Sequence, residues 1–110
     1  DETRVQQLVT LGLSQYEACA YLALLGYDES SAVEVADRAG VPRQRVYDVL
    51  ASLRERGLVV TKDGRPLRHT AREPGVALSA LLEARRRQQQ AENERLAALV
   101  EAILAELAPA

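Results

Sequence analysis

Apolar residues along this chain recur at helical spacing through its first half, switch briefly to strand spacing, and return to helical spacing to the end. Val5, Leu8 and Val9 stand at i, i+3 and i+4 and predict a short helix over residues 2–10, interrupted by Gly12. Ser14-x-x-Glu17 is a capping box, in which the hydroxyl and the carboxylate each take an otherwise unpaired backbone N–H, so a second helix starts there. From Tyr16 to Leu25 that helix is apolar on nearly every face apart from Glu17, which predicts the central, most buried element. Gly26 ends it, and Tyr27–Ser30 reads as a loop.

A second capping box, Ser31-x-x-Glu34, opens a short helix with Ala32, Val35, Ala36 and Ala39 on one stripe and Glu34, Asp37 and Arg38 outside. Gly40 stops it. Pro42 suits the first turn of a new helix, where a missing N–H is harmless. That helix runs to about Arg56, with Val46, Val49, Leu50 and Leu53 inward and Gly57 as its stop. A short helix, a Gly-containing turn and a longer helix make a helix-turn-helix pair. Leu58–Lys62 is then β-branched and strand-like, Asp63-Gly64 signals a hairpin turn, and Leu67–Ala71 can return as a second strand. A hairpin directly after a helix-turn-helix is a wing.

Pro74 opens the last element, one helix to about Leu107 that would extend roughly 50 Å at ~1.5 Å per residue. A heptad frame places Leu82, Leu96 and Ile103 at d and Val100 and Leu107 at a, with Arg86 and Asn93 also at a and Gln89 at d. The seam is thus apolar at its ends and polar from Arg85 to Arg95. An Asn at an a position specifies register and two strands, so Asn93 fits a homodimer; otherwise the polar stretch is solvated and only the last turns pair. The predicted fold is mainly α with a small β-hairpin, a winged helix-turn-helix followed by a long C-terminal coiled-coil helix. Residues 1–72 form the winged-helix domain, and residues 73–110 the dimerisation helix.

Composition narrows the function classes. With four Tyr and neither Phe nor Trp, the core must be built from aliphatic side chains. No apolar run reaches the ~20 residues needed to cross a bilayer and no basic-then-apolar leader opens the chain, so a cytoplasmic protein with no membrane partner is expected. Cys19 is the only cysteine and His69 the only histidine, which leaves no disulfide and no Cys/His zinc site; no metal or cofactor is expected. Cys19, in the run Ala18-Cys19-Ala20, reads as a small buried hydrophobe rather than a nucleophile. The net charge of −2 conceals an uneven distribution. Residues 41–72 hold eight basic side chains against three acids, while the flanking segments are both net acidic. One basic segment spanning the helix after Pro42 and the hairpin is the footprint of a polyanion partner.

Several stretches in order carry a resemblance: Leu11-Gly12-Leu13-Ser14, Tyr16-Glu17-Ala18, Tyr21-Leu22-Ala23-Leu24-Leu25, Gly40-Val41-Pro42-Arg43, Val46-Tyr47-Asp48-Val49-Leu50, Leu53, Gly57-Leu58-Val59 and Gly64-Arg65-Pro66. Together they resemble the DNA-binding half of the TrmB-type transcription regulators of archaea and bacteria, over roughly residues 8 to 82. The resemblance implies a winged helix, a dimer through the helix after the wing, and operator binding by the helix carrying Pro42 to Leu53. Larger family members often add a C-terminal sugar-sensing domain, which this sequence does not include, so the small-molecule effector stays open. The sequence departs from the family where the returning strand has His69 rather than the frequent Tyr, and where Leu67 replaces a frequent Lys after Arg-Pro.

The expected function is sequence-specific binding of double-stranded DNA by a dimeric transcription regulator, with helix 42–56 in the major groove and wing 58–71 on the backbone or minor groove. With Val46, Val49, Leu50 and Leu53 inward, Gln44, Asp48 and Ala51 lie at the outward centre, flanked by Arg45, Tyr47 and Ser52. Arg43 suits a phosphate or groove-edge base, Arg45 a guanine, Gln44 an adenine and Tyr47 a phosphate. Asp48 would accept from cytosine N4 or else hold phosphate off. Lys62, Arg65 and Arg68 surround the wing turn. Ser30 and Ser31 sit at a helix start where phosphates bind, although Ser31 is also the cap. His69 is either a wing contact or a packed strand residue. A winged-helix protein-interaction module is the alternative, which the basic segment disfavours. An enzyme is the remotest reading, because no nucleophile–base pair, phosphate loop or placeable carboxylate pair is present.

Overall fold

A computed structural model describes residues 1–109. Five helices and one hairpin follow in the order α1 (Glu2–Thr10), α2 (Gln15–Leu25), α3 (Ala32–Ala39), α4 (Arg43–Glu55), β1 (Val59–Lys62), β2 (Arg68–Ala71) and α5 (Pro74–Leu107). Both capping boxes form: the Ser14 and Ser31 hydroxyls accept from the Glu17 and Glu34 amides, and those glutamates accept from the serine amides. Gly40 ends α3 in the left-handed region, at φ 71°, where a side chain would be strained. One difference from expectation lies at Pro42, which caps α4 from outside the helix; its carbonyl accepts from the Arg45 and Val46 amides at 2.9 and 3.1 Å.

The wing turn is longer than the Asp63-Gly64 signal suggested. The register pairs Lys62 with Arg68 and Val59 with Ala71, leaving residues 63–67 as the connection. A two-residue turn would have set Pro66 opposite Thr61, where it has no N–H to give the ladder. The strand therefore begins at Arg68 instead of Leu67, and the Arg65–Pro66 bond is cis. An isolated bridge adds a third rung, with Ser30 N–H donating to His69 O and His69 N–H to Ser30 O, at 2.9 and 2.8 Å.

The core is aliphatic, as the scarcity of aromatics required. Leu24, Leu53, Leu58, Val35, Val46 and Val59 are essentially inaccessible, each such side chain contributing about 1.5–3 kcal/mol of burial. Tyr21 is buried among them and donates its hydroxyl to the Arg72 carbonyl at 2.8 Å, tying α2 to the end of the wing. Cys19 is half-buried and packs against this core. Ala77 and Leu81 join it from the first two turns of α5. Beyond them α5 leaves the body, and the molecule measures 69 × 29 × 25 Å. No described helix is long and apolar enough to cross a membrane.

Candidate nucleic-acid interface

The α4 stripe Val46, Val49, Leu50 and Leu53 is buried, so the opposite face is fixed by helical geometry. Arg43, Gln44, Arg45, Tyr47 and Asp48 are all exposed on it, Tyr47 with 62% of its surface free. Unlike α2 and α3, α4 starts with no side-chain cap, which leaves its first amides open beside Arg43. An uncapped, cation-bearing helix start is electrostatically suited to phosphate. Gln44 and Arg65 are engaged by no described side chain. Arg43 meets Asp37 at 3.3 Å, and the Arg45 guanidinium lies over the Tyr16 ring at 5.5 Å.

The wing borders two recesses, and its cations Lys62 and Arg68 lie on only one of them. Pro66 and Leu67 from its connection, the α3 cap Ser31 and Val33 of α3, and Tyr47, Ala51 and Arg54 from α4 line one recess of about 360 Å³. Ser31 and Tyr47 are thus brought beside the wing loop. Lys62 and Arg68, cross-strand partners, sit on the other side near Asp28 and Glu29, and Lys62 pairs with Glu29 at 3.0 Å. Ser31 is occupied by its capping box, while Ser30 is fully buried and its hydroxyl accepts from Arg38 at 3.0 Å. Among the described residues, no group of His, Cys, Asp or Glu could hold a metal ion.

His69 is buried and packs as a strand residue, its Nδ1 3.0 Å from the Thr61 hydroxyl. Burial, and then the nearby Arg54 charge, hold its pKa below the ordinary 6.5. Arg54 is a residue the outward-face reading passed over, although its spacing from Tyr47 and Ala51 put it on that face. The other surprise is Glu17. Beyond its cap it accepts from the Ser52 hydroxyl of α4 and pairs with Arg56 at 3.4 Å. Burial pushes the Glu17 carboxyl up, but the Ser14 amide, Ser52 and Arg56 together outweigh that and lower it. One carboxylate therefore fixes α4 against α2.

A winged helix with a basic recognition surface is widespread, and the residue-by-residue match narrows it. Residues 8–75 match the family profile described as the sugar-specific transcriptional regulator TrmB. The chain belongs to the TrmB family. It is similar to the HTH-type sugar sensing transcriptional regulator TrmBL1 of Pyrococcus furiosus, 37% identical over 83 residues that cover 76% of this chain and 24% of that protein. It is also similar to the DNA-binding HTH-type transcriptional repressor TrmBL2 of Thermococcus kodakarensis, 35% identical over 71 residues, 64% of this chain and 27% of that one. The chain spans about a quarter of the length of these curated relatives. Among solved structures, TrmBL2, described as an archaeal chromatin protein, superposes with a TM-score of 0.88 at 29% identity, covering 98% of this chain and 43% of that one. A MarR family regulator from Silicibacter pomeroyi superposes at 0.59 and 21% identity, covering 93% and 77%, a likeness of fold. These TrmB-family relatives are transcription regulators, not enzymes.

Proposed function

We propose that this chain is the DNA-binding, dimer-forming part of a TrmB-type transcription regulator that recognises specific double-stranded sequences. The observation that carries this reading is the exposed start of α4, uncapped and bearing Arg43, Gln44 and Arg45, on a helix whose next turns bring Tyr47 and Arg54 beside the wing loop. In this reading α4 enters the major groove, Arg45 and Gln44 read bases, and Arg43, Tyr47 and Ser31 meet phosphates. Asp48 lies on the same face and penalises registers that bring it to the backbone. The wing places Arg65 on the minor groove or backbone, with Lys62 and Arg68 behind it. The relatives' names, a DNA-binding repressor and a sugar-sensing regulator, support the same reading.

The dimer is assigned to α5, where Leu82, Leu96, Val100, Ile103 and Leu107 stand exposed along the helix, with Asn93 between them. Two-fold symmetry then sets two half-sites on the DNA. The test is fluorescence anisotropy of random-sequence duplex DNA across a salt series. Binding that weakens steeply with salt is expected, followed by selection of a preferred sequence. No binding at low salt would move the reading to a protein-interaction module, which the exposed Val33, Tyr47 and Leu67 around the recess favour.

A further inference from the structure

At 3.6 residues per turn, the residues of α5 that fall within about 40° of Leu78 form one straight face. That face begins apolar at Leu78 and Leu82, turns polar at Arg85, Gln89 and Glu92, and is apolar again from Leu96 through Val100 and Ile103. Its lower end runs without a break into an apolar groove of about 730 Å³ between α1, α2 and α5, walled by Leu8, Leu11, Leu22 and Leu25. Ala77 and Leu81, roughly a quarter-turn away, are used up against the body. The groove and the α5 face are therefore one open surface with an apolar end, a charged middle and a second apolar end.

The order of charges in the middle discriminates between ways of covering it. Before Gln89, Glu83 stands with Arg85, Arg86 and Arg87, a net positive block; after it, Arg95 stands with Glu92 and Glu94, a net negative one. In a parallel pair each block meets its own copy, so Arg85 faces Arg85. In an antiparallel pair crossing between Gln88 and Gln89, Arg85 meets Glu92 of the other helix and blocks of opposite net sign face each other. Leu78 then lies level with Leu99 and Val100, and Leu82 beside Leu96. The last turn, Ile103–Leu107, overhangs the start of α5 and reaches the groove. Within one helix, Glu83–Arg86 and Glu92–Arg95 already pair, at positions that leave Arg85 without a partner of its own.

We propose that the occupant of this surface is a second copy of the chain bound antiparallel, with the C-terminal turn of each α5 seated in the α1–α2 groove of the other. The assignment rests on the dimer reading above and goes beyond it in fixing direction and receptor. It places the two winged bodies at opposite ends of a two-helix rod instead of side by side.

Sedimentation and a spin-label distance separate this proposal from that reading. A label at Ala105→Cys, in a Cys19→Ala background, lies on the side of α5 away from the stripe. In the antiparallel dimer the two labels sit about 50 Å apart, from ~1.5 Å rise per residue. In a parallel dimer they lie under about 30 Å, helix axes being roughly 10 Å apart. A dimer with the short distance overturns the antiparallel assignment and leaves the dimer standing; a monomer by sedimentation removes both. As a second measure, Arg85→Glu or Glu92→Arg alone should weaken self-association about tenfold, and the double swap should restore it. In a parallel pair the single swaps merely exchange one like-charge contact for another, so unchanged association of both would also overturn the proposal.

Discussion

Large aliphatic side chains meet opposite fates in the two halves of this molecule. In the winged body Leu53 is 0% exposed, and Leu24 and Leu58 are almost as deeply covered. In the outer part of α5, Ile103 is 47% and Leu107 74% exposed. Both regions are helical and of similar hydrophobicity to the eye. The difference is one of partners: α2, α3 and α4 bury one another, whereas α5 outruns the body it starts from. The body buries its apolar side chains within one chain, and the distal helix leaves its own exposed.

The sharpest way to break that contrast is to truncate one side chain from each region. Leu53→Ala should lower unfolding stability by about 2–5 kcal/mol, read by urea titration, because nothing fills the space it vacates. Ile103→Ala should leave the melt of dilute protein nearly unchanged and weaken self-association by sedimentation. Equal destabilisation by both would mean that the distal helix packs within its own chain.

The next largest effect concerns the exposed face of α4. Arg43→Ala with Arg45→Ala should reduce duplex affinity about 100-fold and flatten its salt dependence by one to two contacts, with the thermal midpoint unmoved. Undiminished affinity would place the interface elsewhere.

Much of this was legible beforehand because it depended on local patterns. The capping boxes at Ser14 and Ser31 and the inward stripe of α4 need only residues three or four apart. The wing loop departs from its Asp63-Gly64 signal because that signal is local, and a proline three residues after Asp63 overrides it through the ladder. The Glu17–Ser52–Arg56 cluster and the Ser30–His69 bridge were not readable at all, since they join residues 35 or more apart that only tertiary packing brings together. The antiparallel direction proposed for α5 does not follow from the heptad pattern, for another reason. A heptad frame treats Arg86 and Asn93 as seam residues, whereas the straight helix puts Arg85 and Glu92 on the face.

Two titrations give smaller effects within the body. His69 has its pKa depressed in the fold, so as pH falls below the ordinary 6.5 the unfolded chain takes up a proton that the folded one resists. Stability should therefore decline through that region, and His69→Gln should remove this part of the decline. Glu17 is also depressed, from 4.5, so its stabilisation is present above that value and is lost as pH falls through the folded pKa. The Glu17→Gln variant should flatten this lower limb of a urea-midpoint profile. A profile unchanged by either substitution would detach both groups from the stability of the body.

The smallest expected effect comes from the acids standing next to the proposed DNA contacts. Asp37→Asn should tighten duplex binding by about two- to threefold, consistent with an exposed ion pair worth under about 1 kcal/mol. Glu29 stands in the same relation to Lys62. If Arg43 and Lys62 meet phosphates as proposed, these carboxylates act as tethered competitors: each occupies, at a fixed and high local concentration, the cation that phosphate would take. Because they never diffuse away, they recapture Arg43 or Lys62 whenever a phosphate lets go. Under the proposed function, such competition shortens the stay on every sequence alike, without altering which bases are read.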